Sequence, residues 1–305
     1  MGRGEGEDPL IPILVDGSGR DGTTLLMQLL GTSAEVAFDR VYPYEQRYLS
    51  YFLHWSRLPT IPGWDEASWN LDSLAHSEGL DQVAVVGPFP WAERSLVEAR
   101  RGRELWQDLF EAAWAAFSEH ARAACRARLG DPSLAVRYYA QKNADSWALP
   151  LEDLPPVRLI CVLRDPRDTW MSSLAFHRRR EAEGGAFLPI TPERSEEEVL
   201  ATFIEDQRNR LTWLRTVEAE EGALLVRYEH MVADLVAEGE RVGEWLGLGL
   251  DGAAVLRRRG EFEGHITSGA VEKSVGRWRG EMPAELAERF WQAMGSELTE
   301  FGFEA

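Results

Sequence analysis

The stretch IPILVDGSGRDGTT, residues 11–24, decides the fold of this chain. The continuous apolar run Ile11–Val15 predicts a short buried strand, and the periodic stretch Thr23–Leu30 predicts a helix that ends at Gly31. The glycine-rich turn between them brings free backbone N–H groups to a helix N-terminus, where the helix dipole favours an anion. The stretch therefore predicts a strand–loop–helix unit with a phosphate-binding loop.

This loop fits the nucleoside-triphosphate pattern G-x-x-x-x-G-K-[ST] except at its cation. Gly17, Gly22 and Thr24 match the pattern, but Thr23 stands in the lysine position. The residue that would reach the β- and γ-phosphates is therefore missing, and the nearest cation is Arg20, inside the loop. An ATP- and Mg²⁺-dependent phosphotransferase is the weaker alternative.

Strands and helices alternate along the rest of the chain. Further strands are predicted at Val83–Val86, Ala135–Ala140, Arg158–Leu163 and Leu224–Tyr228, and helices at Leu96–Leu129, Asp168–Arg180, Glu196–Glu221, Met231–Leu246 and Pro283–Phe301. This alternation predicts an α/β fold with a mostly parallel central sheet flanked by helices. Because no segment resembles an interdomain linker, we expect one domain over residues 1–305, with residues 1–8 as a disordered lead-in.

A long helical, tryptophan-rich insertion interrupts the alternation over residues 44–129. It holds half of the twelve tryptophans: Trp55, Trp64, Trp69, Trp91, Trp106 and Trp114. Buried tryptophan is usually structural, so these side chains are expected to pack a helical cap onto the sheet. Several of them are also candidates for lining a pocket for an acceptor with an apolar or aromatic body, and both roles remain open.

Two segments resemble the PAPS-dependent sulfotransferases. Residues 19–24, GRDGTT, look like the 5′-phosphosulfate loop of that family, often written R/K-S-G-T-T. Residues 164–173, RDPRDTWMSS, are similar to its 3′-phosphate motif. In that spacing a strand-end Arg164 supplies charge, and Ser172 in the following helix supplies a hydrogen bond to the same phosphate.

Three more segments agree with the resemblance: QKN at 141–143, VRYE at 226–229 and SVGRWR at 274–279. The resemblance implies a P-loop-NTPase-like sulfotransferase fold of bacterial type. It also implies transfer of a sulfuryl group from 3′-phosphoadenosine-5′-phosphosulfate (PAPS), with release of 3′-phosphoadenosine-5′-phosphate (PAP). The cofactor-binding residues that it implies are Gly19, Arg20, Asp21, Gly22, Thr23, Thr24, Arg164, Ser172, Tyr228, Ser274, Arg277, Trp278 and Arg279. Asp21 stands where the family usually has Ser, and we expect it to point outward from the first helical turn.

Sulfuryl transfer asks the protein for in-line positioning and for charge stabilisation at the leaving oxygen. The predicted catalytic cations are Arg20 and Lys142. Lys142 is also compatible with a solvated charge at the end of a strand. The reaction requires no metal. The acceptor must lose a proton to a general base. Glu45 is the first candidate, followed by Asp39 and His54. With the base uncertain, a catalytically silent nucleotide-binding protein remains a second alternative.

The composition limits the partners. Lys plus Arg total 33 and Asp plus Glu total 51, which gives a net charge of −18, so nucleic acid and anionic membrane surfaces are disfavoured. The two cysteines and the lack of a signal peptide or long apolar run favour a cytoplasmic protein. Cations nevertheless gather at the motifs: Arg20, Lys142, Arg164, Arg167, Arg277 and Arg279. We therefore expect a basic pocket in an acidic body and a neutral or cationic small-molecule acceptor, such as a natural product with a hydroxyl or amine; the sequence does not indicate the oligomeric state.

Overall fold

The fold is organised around a parallel sheet. The structure is a computed structural model, and it describes residues 7–57, 96–143, 156–217, 222–258 and 272–305. The strands in these ranges are β1 (Ile11–Asp16), β2 (Val36–Ala37), β3 (Tyr138–Asn143), β4 (Arg158–Leu163) and β5 (Ala223–Arg227). They form one sheet in the order β2-β3-β1-β4-β5. β2 pairs with β3, and β4 with β5, in parallel. The predicted α/β class with a parallel central sheet is confirmed.

Helices connect and flank these strands. They are α1 (Thr23–Leu30), α2 (Tyr48–Arg57), α3 (Leu96–Leu129), α4 (Pro166–Ala182), α5 (Glu196–Val217), α6 (Tyr228–Ala233), α7 (Leu235–Leu246), α8 (Gly252–Arg257), α9 (Trp278–Glu281) and α10 (Ala284–Glu300). A short 3₁₀ turn covers Glu272–Ser274. The predicted strand at Val83–Val86 and three of the insertion's tryptophans, Trp64, Trp69 and Trp91, lie outside the described residues.

Two predicted elements are wrong in their extent. The strand predicted at Ala135–Ala140 is β3, three residues later, because the polar Gln141 is buried and satisfied: its side chain accepts from Leu49 N at 3.0 Å and donates to Ser50 Oγ at 3.0 Å. The helix predicted at Met231–Leu246 is divided at Asp234. The carboxylate of Asp234 accepts hydrogen bonds from the backbone of Val236 and Ala237, so it ends one helix and caps the next.

The chain divides into two compact units. The first contains residues 1–14 and 34–157, and the second contains residues 15–33 and 158–305. The start of β1 therefore belongs to the first unit and its end, Val15 and Asp16, to the second.

An aromatic cluster forms the core of the first unit. Trp114 of α3 is 2% exposed, stacks on Phe110 and Phe117, and donates its indole N–H to the carbonyl of Leu10 at 2.8 Å. Of the predicted lead-in, the structure describes Glu7 and Asp8, whose partners are Arg122 and Arg126 of the same helix.

The second unit is packed around β4, β5 and the apolar side of α1. Leu26, Met27, Leu29 and Leu30 of α1 are all buried. Aromatic contacts join α4, α5 and α10, where the Trp170 and Phe203 ring centroids are 5.3 Å apart and those of Phe203 and Phe290 are 6.3 Å apart. Burial of these side chains fixes the strand ends that carry the site residues.

Candidate anion site and catalytic residues

The glycine-rich loop follows β1 in the second unit and ends where α1 begins. Gly19, Arg20 and Gly22 have positive φ angles of 82°, 62° and 102°, so the loop makes a turn that few side chains tolerate. A Cβ atom on Gly22 would lie 2.3 Å from the ring of Tyr228, so the aromatic ring packs directly on the loop backbone. Glycine at position 22 is thus required by both conformation and space.

Asp21 does not point outward as predicted. It is 1% exposed, and its Oδ2 accepts hydrogen bonds from the backbone N–H and the hydroxyl of Ser18, both at 2.7 Å. Its Oδ1 accepts from the hydroxyl of Thr169 at 3.0 Å. The expectation was wrong because the loop itself and α4 supply hydrogen bonds that make the buried carboxylate favourable.

Arg164 follows the last residue of β4 and is 3% exposed. Its guanidinium donates to the carbonyl of Arg20 at 2.8 Å and to the carbonyl of Ser274 at 2.6 Å. The cation also lies over the Tyr228 ring, 4.5 Å from its centroid. Within the described residues its Nε is buried and has no hydrogen-bond partner. A buried, oriented cation with an unsatisfied donor is suited to an anionic group.

Ser172 and Arg20 meet across a separation of 152 residues. The Nε of Arg20 donates to Ser172 Oγ at 3.3 Å, and the guanidinium lies 4.5 Å from the centroid of the Phe176 ring. Ser172 is on the first two turns of α4, as predicted, and Arg164 contacts the backbone of the same Arg20. The structure therefore assembles Arg164, Ser172 and the loop around Arg20.

The C-terminal segment of residues 274–279 is fastened to this group by one carboxylate. Asp168 Oδ2 accepts from Gly276 N at 2.6 Å, and Oδ1 accepts from Trp278 N at 2.9 Å. Burial raises the pKa of Asp168 although these N–H groups and Arg164 oppose the shift. Ser274 is in addition 2.7 Å from the Tyr228 hydroxyl. Two of the residues predicted to close over a phosphate are thus held in place: Ser274 by Tyr228 and Trp278 by Asp168.

The cations near the motifs differ in what they contact. Arg167 is predicted to be one of the pocket cations, but it is 1% exposed and makes a forked ion pair with Asp165. Asp165 in turn caps α4. It therefore has a structural role at the start of that helix. Arg277 pairs with Glu281 at 2.6 Å, and Arg279 is 3.5 Å from Glu304.

Glu45 and Lys142 form an ion pair in the first unit. Lys142 lies on β3 with its side chain 9% exposed, and its Nζ is 2.8 Å from Glu45 Oε1. Lys142 is therefore not a solvated strand-end charge. The Glu45 side chain is 51% exposed, so one partner of the pair is accessible to a second molecule.

The other two candidate bases are Asp39 and His54. Asp39 Oδ1 accepts from Val41 N at 2.9 Å and Oδ2 from Gln46 N at 3.4 Å, so its carboxylate closes a turn. His54 lies within α2, and its side chain is outside the described part of the chain.

An apolar groove runs between α2 and α3 in the first unit. It has a volume of about 540 Å³, and its aromatic lining comes from Tyr51, Phe52, Trp55 and Phe117, with His120 as the polar side chain. Trp55 and Tyr51 are more than half exposed. Phe117 packs edge-on against Tyr139, which is on the same strand as Lys142.

Comparison with models of protein families identifies the family of this chain. The model of the sulfotransferase family matches residues 12–252, from the first strand to the start of α8. The chain belongs to this sulfotransferase family. A search of curated protein sequences finds no match.

Similarity to solved structures is found at low sequence identity, and one of these sulfotransferases shares the fold with a TM-score of 0.50. Sulfotransferase STF9 from Mycobacterium avium is 16% identical with a TM-score of 0.50, and the alignment covers 98% of this chain and 78% of that one. The sulfotransferase domain of the curacin biosynthetic pathway is 16% identical over 98% and 99% of the two chains with a TM-score of 0.45. A mouse sulfotransferase, SULT7A1, solved with PAP, is 13% identical over 95% and 84% with a TM-score of 0.49.

Within the described residues of this sulfotransferase, no three His, Cys, Asp or Glu side chains group in a way that could hold a metal ion. Nor does any helix there combine the length and apolarity needed to cross a bilayer.

Sequence reasoning missed one residue of the loop environment, Arg210. This arginine of α5 contacts both Asp16 and Asp21. The available signal was the pair of carboxylates in a loop expected to bind an anion, since buried acids require a cation. Which of the chain's arginines supplies that cation could not be found from spacing, because Arg210 is 189 residues beyond Asp21.

Proposed function

We propose that this protein is a PAPS-dependent sulfotransferase of the cytoplasm that sulfates a hydroxyl or an amine of a small-molecule acceptor. The observation that carries the proposal is Arg164, a buried guanidinium held by two carbonyl groups with its Nε unpartnered in the described structure. Arg20 and Ser172 lie in contact beside it. This donor set fits an anionic nucleotide better than a neutral ligand.

The residues of the second unit divide the binding of PAPS between them. Arg164 and Ser172 would hold the 3′-phosphate, and the backbone of the loop with Thr23 and Thr24 would hold the phosphosulfate at the N-terminus of α1. The Gly22 backbone and the Tyr228 ring already pack together, so the loop needs no rearrangement there to keep its shape. The segment that Asp168 fastens contains Ser274, Arg277, Trp278 and Arg279. These residues would close the site over the bound nucleotide.

The chemistry that PAPS supplies is a sulfuryl group on a phosphosulfate anhydride, whose transfer to the acceptor releases PAP. Arg20 and Lys142 would stabilise the charge left on the departing phosphate oxygen. A guanidinium does not release a proton at neutral pH, so Lys142 is the residue that can donate one. Neither role calls for a metal ion.

Glu45 would take the proton from the attacking hydroxyl or amine. Its carboxylate is half exposed and is held by Lys142 at 2.8 Å, which fixes its direction while leaving its other oxygen for the acceptor. Arg47 lies 3.9 Å from that second oxygen, a weak contact that an acceptor can replace. Proton transfer to a positioned carboxylate contributes about 10²–10⁴-fold to rate.

The groove between α2 and α3 would bind the apolar body of the acceptor. Its volume of about 540 Å³ suits a small organic molecule, and its lining is aromatic. An aromatic or polycyclic body is the class that such a lining favours. The net charge of −18 favours a neutral or cationic acceptor over an anionic one.

The proposal is tested by calorimetric titration of PAP into the wild-type protein and into Arg164→Ala. The variant loses a charge-assisted contact worth about 1.5–3 kcal/mol, so we expect its affinity to fall by about tenfold to a hundredfold. Arg178→Ala is the matched control, because Arg178 is on the same helix as Ser172 and its side chain is 65% exposed. Unchanged affinity in Arg164→Ala, or no binding of PAP by the wild-type protein, would contradict the proposal.

A further inference from the structure

Arg210 places one guanidinium between the two carboxylates of the phosphate loop. It lies on α5 with its side chain 8% exposed. Its Nη2 donates to Asp16 Oδ2 at 2.7 Å and to the carbonyl of Val162 at 3.1 Å, and its Nη1 is 3.7 Å from Asp21 Oδ2. Burial alone would lower the pKa of Arg210, but Asp16 and Asp21 reverse this and raise it, so the group stays charged.

These contacts join the two ends of the loop. Asp16 is the last residue of β1 and Asp21 precedes the glycine at which α1 begins. Asp21 Oδ2, the oxygen nearest Arg210, also accepts from the N–H and hydroxyl of Ser18, so it orders the middle of the loop as well. One cation on a helix distant in sequence is thereby linked to the start, the middle and the end of the loop.

A carboxylate in this position is harmful to anion binding unless it is neutralised. Like charges repel strongly where little water separates them, and Asp21 stands inside the loop proposed to hold the phosphosulfate. We propose that Arg210 is a positioning residue of this sulfotransferase, which keeps Asp21 neutralised and turned into the protein so that the loop can accept an anion. This inference rests on the proposed function and adds a residue that is not expected to touch the ligand.

The groups around Asp21 determine how the loop would respond to the loss of Arg210. They are Arg210 of α5, Asp16 of β1 and Thr169 of α4, with Cys161 of β4 beside Asp16 and Arg210. Without Arg210, the carboxylates of Asp16 and Asp21 share this space and lose the charge of its guanidinium. The repulsion between these carboxylates and an incoming anion would then weaken anion binding.

The experiment is a double-mutant cycle between positions 210 and 21. Arg210→Met removes the charge, and Arg210→Lys keeps it on an ammonium that cannot make the forked contact. Asp21→Ser removes the carboxylate and installs the residue usual in the family. Each single variant and the Asp21→Ser/Arg210→Met double variant are titrated with PAP and, separately, with inorganic pyrophosphate. Arg208→Met is the matched control, because Arg208 is on the same helix with its side chain 61% exposed.

We expect Arg210→Met to weaken binding of either probe at pH 8 by about tenfold or more, and Arg210→Lys to weaken it less. In the Asp21→Ser background the same Arg210→Met change should weaken binding by less than about threefold, because no carboxylate remains to be neutralised at position 21. A lower melting temperature alone does not distinguish a positioning role from a structural one, whereas these affinity changes do.

Equal weakening by Arg210→Met in both backgrounds, or affinities unchanged in Arg210→Met and Arg210→Lys, would overturn the inference. If Arg210→Met does not fold, the cycle is run with Arg210→Lys. A loss of anion affinity in Arg210→Lys that Asp21→Ser does not relieve would likewise overturn the inference. Pyrophosphate separates this inference from the proposed function: a wild-type protein that binds pyrophosphate but not PAP rejects the proposed function and leaves the Arg210 cycle decisive. A wild-type protein that binds neither anion rejects both.

Discussion

In the proposed mechanism, proton removal from the acceptor depends on the Glu45–Lys142 ion pair. A lysine with its side chain 9% exposed needs a counter-charge, and Glu45 supplies it from the more accessible side. The same contact fixes the carboxylate against rotation. Replacing Glu45 by glutamine changes the shape of the side chain little, so the effect of losing its charge can be measured.

At this position Glu45→Gln should reduce turnover by about a hundredfold or more, because the amide cannot accept the acceptor's proton. Steady-state kinetics with PAPS measure the turnover, and titration with PAP should give an unchanged dissociation constant. Glu35→Gln is a suitable control, since Glu35 is a paired carboxylate of the same unit, 2.5 Å from Arg137. Normal turnover in Glu45→Gln together with a loss in Asp39→Asn would transfer the role of base to Asp39.

Single residues also show what a sequence can and cannot predict about a site. The positions of Arg164 after a strand and of Ser172 on the next helix were predicted from local pattern, because both belong to one strand-to-helix unit. The inward orientation of Asp21 was not predicted, because it is determined by Ser18, Thr169 and Arg210, and the latter two lie far along the chain. Local pattern identifies the residues of the loop, while long-range partners decide which way each side chain turns.

Among the structural elements, the loop before α1 depends most on the absence of a side chain. Gly22→Ala should reduce the free energy of unfolding by about 2 kcal/mol more than Gly184→Ala, measured by chemical denaturation. Both glycines have positive φ, 102° and 81°, but a Cβ on Gly22 would meet Tyr228 at 2.3 Å and one on Gly184 would meet nothing within 4 Å. The difference therefore isolates the contact between the loop and the Tyr228 ring. Equal losses in the two variants would mean that this contact is not close in solution.

The junction of β5 and α6 carries a carboxylate that makes stability depend on pH. Burial raises the pKa of Glu229 above its usual 4.5, although the N–H of Asp165 and the charge of Arg227 oppose this. The folded protein then holds the proton more tightly than the unfolded chain. Ionisation therefore lowers the free energy of unfolding as the pH rises above about 4.5 towards the raised value.

Glu229→Gln should flatten this part of the profile of unfolding free energy against pH. The profile is measured by urea denaturation between about pH 4 and 7, and Glu240→Gln, an exposed position on α7, serves as the control. Some slope should remain, because burial also raises the pKa of Asp168. A slope as steep in Glu229→Gln as in the wild-type protein would show that Glu229 is not buried as described.

The elements that sequence pattern predicted best are the long or fully buried ones. α1, α3 and β4 begin and end at the predicted residues. The two-residue strand Val36–Ala37 was missed, since only its pairing with Tyr138 and Tyr139 makes it a strand. The later start of β3 was missed for a related reason, because the tertiary partners of Gln141 and Lys142 make polar residues acceptable in a buried strand.

For the whole molecule, the acidic surface and the cationic motif residues act on different ligands. A net charge of −18 repels anions at a distance, whereas Arg20 and Arg164 act on an anion already in contact. Under the proposed function, this is how an acidic protein can bind an anionic donor. The same proposal implies that an acceptor, which approaches from solution, is selected partly by its charge.

A matched pair of aromatic acceptors, one neutral and one with an added carboxylate, should therefore differ in kcat/KM in favour of the neutral compound. The difference should narrow as salt is raised from about 0.01 M to about 1 M, because the screening length falls from about 30 Å to about 3 Å. Assays of PAP release at the two salt concentrations measure it. A carboxylated acceptor that is preferred at low salt would contradict the predicted effect of surface charge.

The proposed function depends on binding of a 3′-phosphorylated adenine nucleotide by the second unit. It is tested most directly by comparing the melting temperature with saturating PAP and with ATP plus Mg²⁺, because a ligand of the native state raises that temperature according to its affinity. We expect a clear rise with PAP, a small one with ATP plus Mg²⁺, and a smaller PAP effect in Arg164→Ala than in the wild-type protein. A rise with ATP plus Mg²⁺ and none with PAP would contradict it.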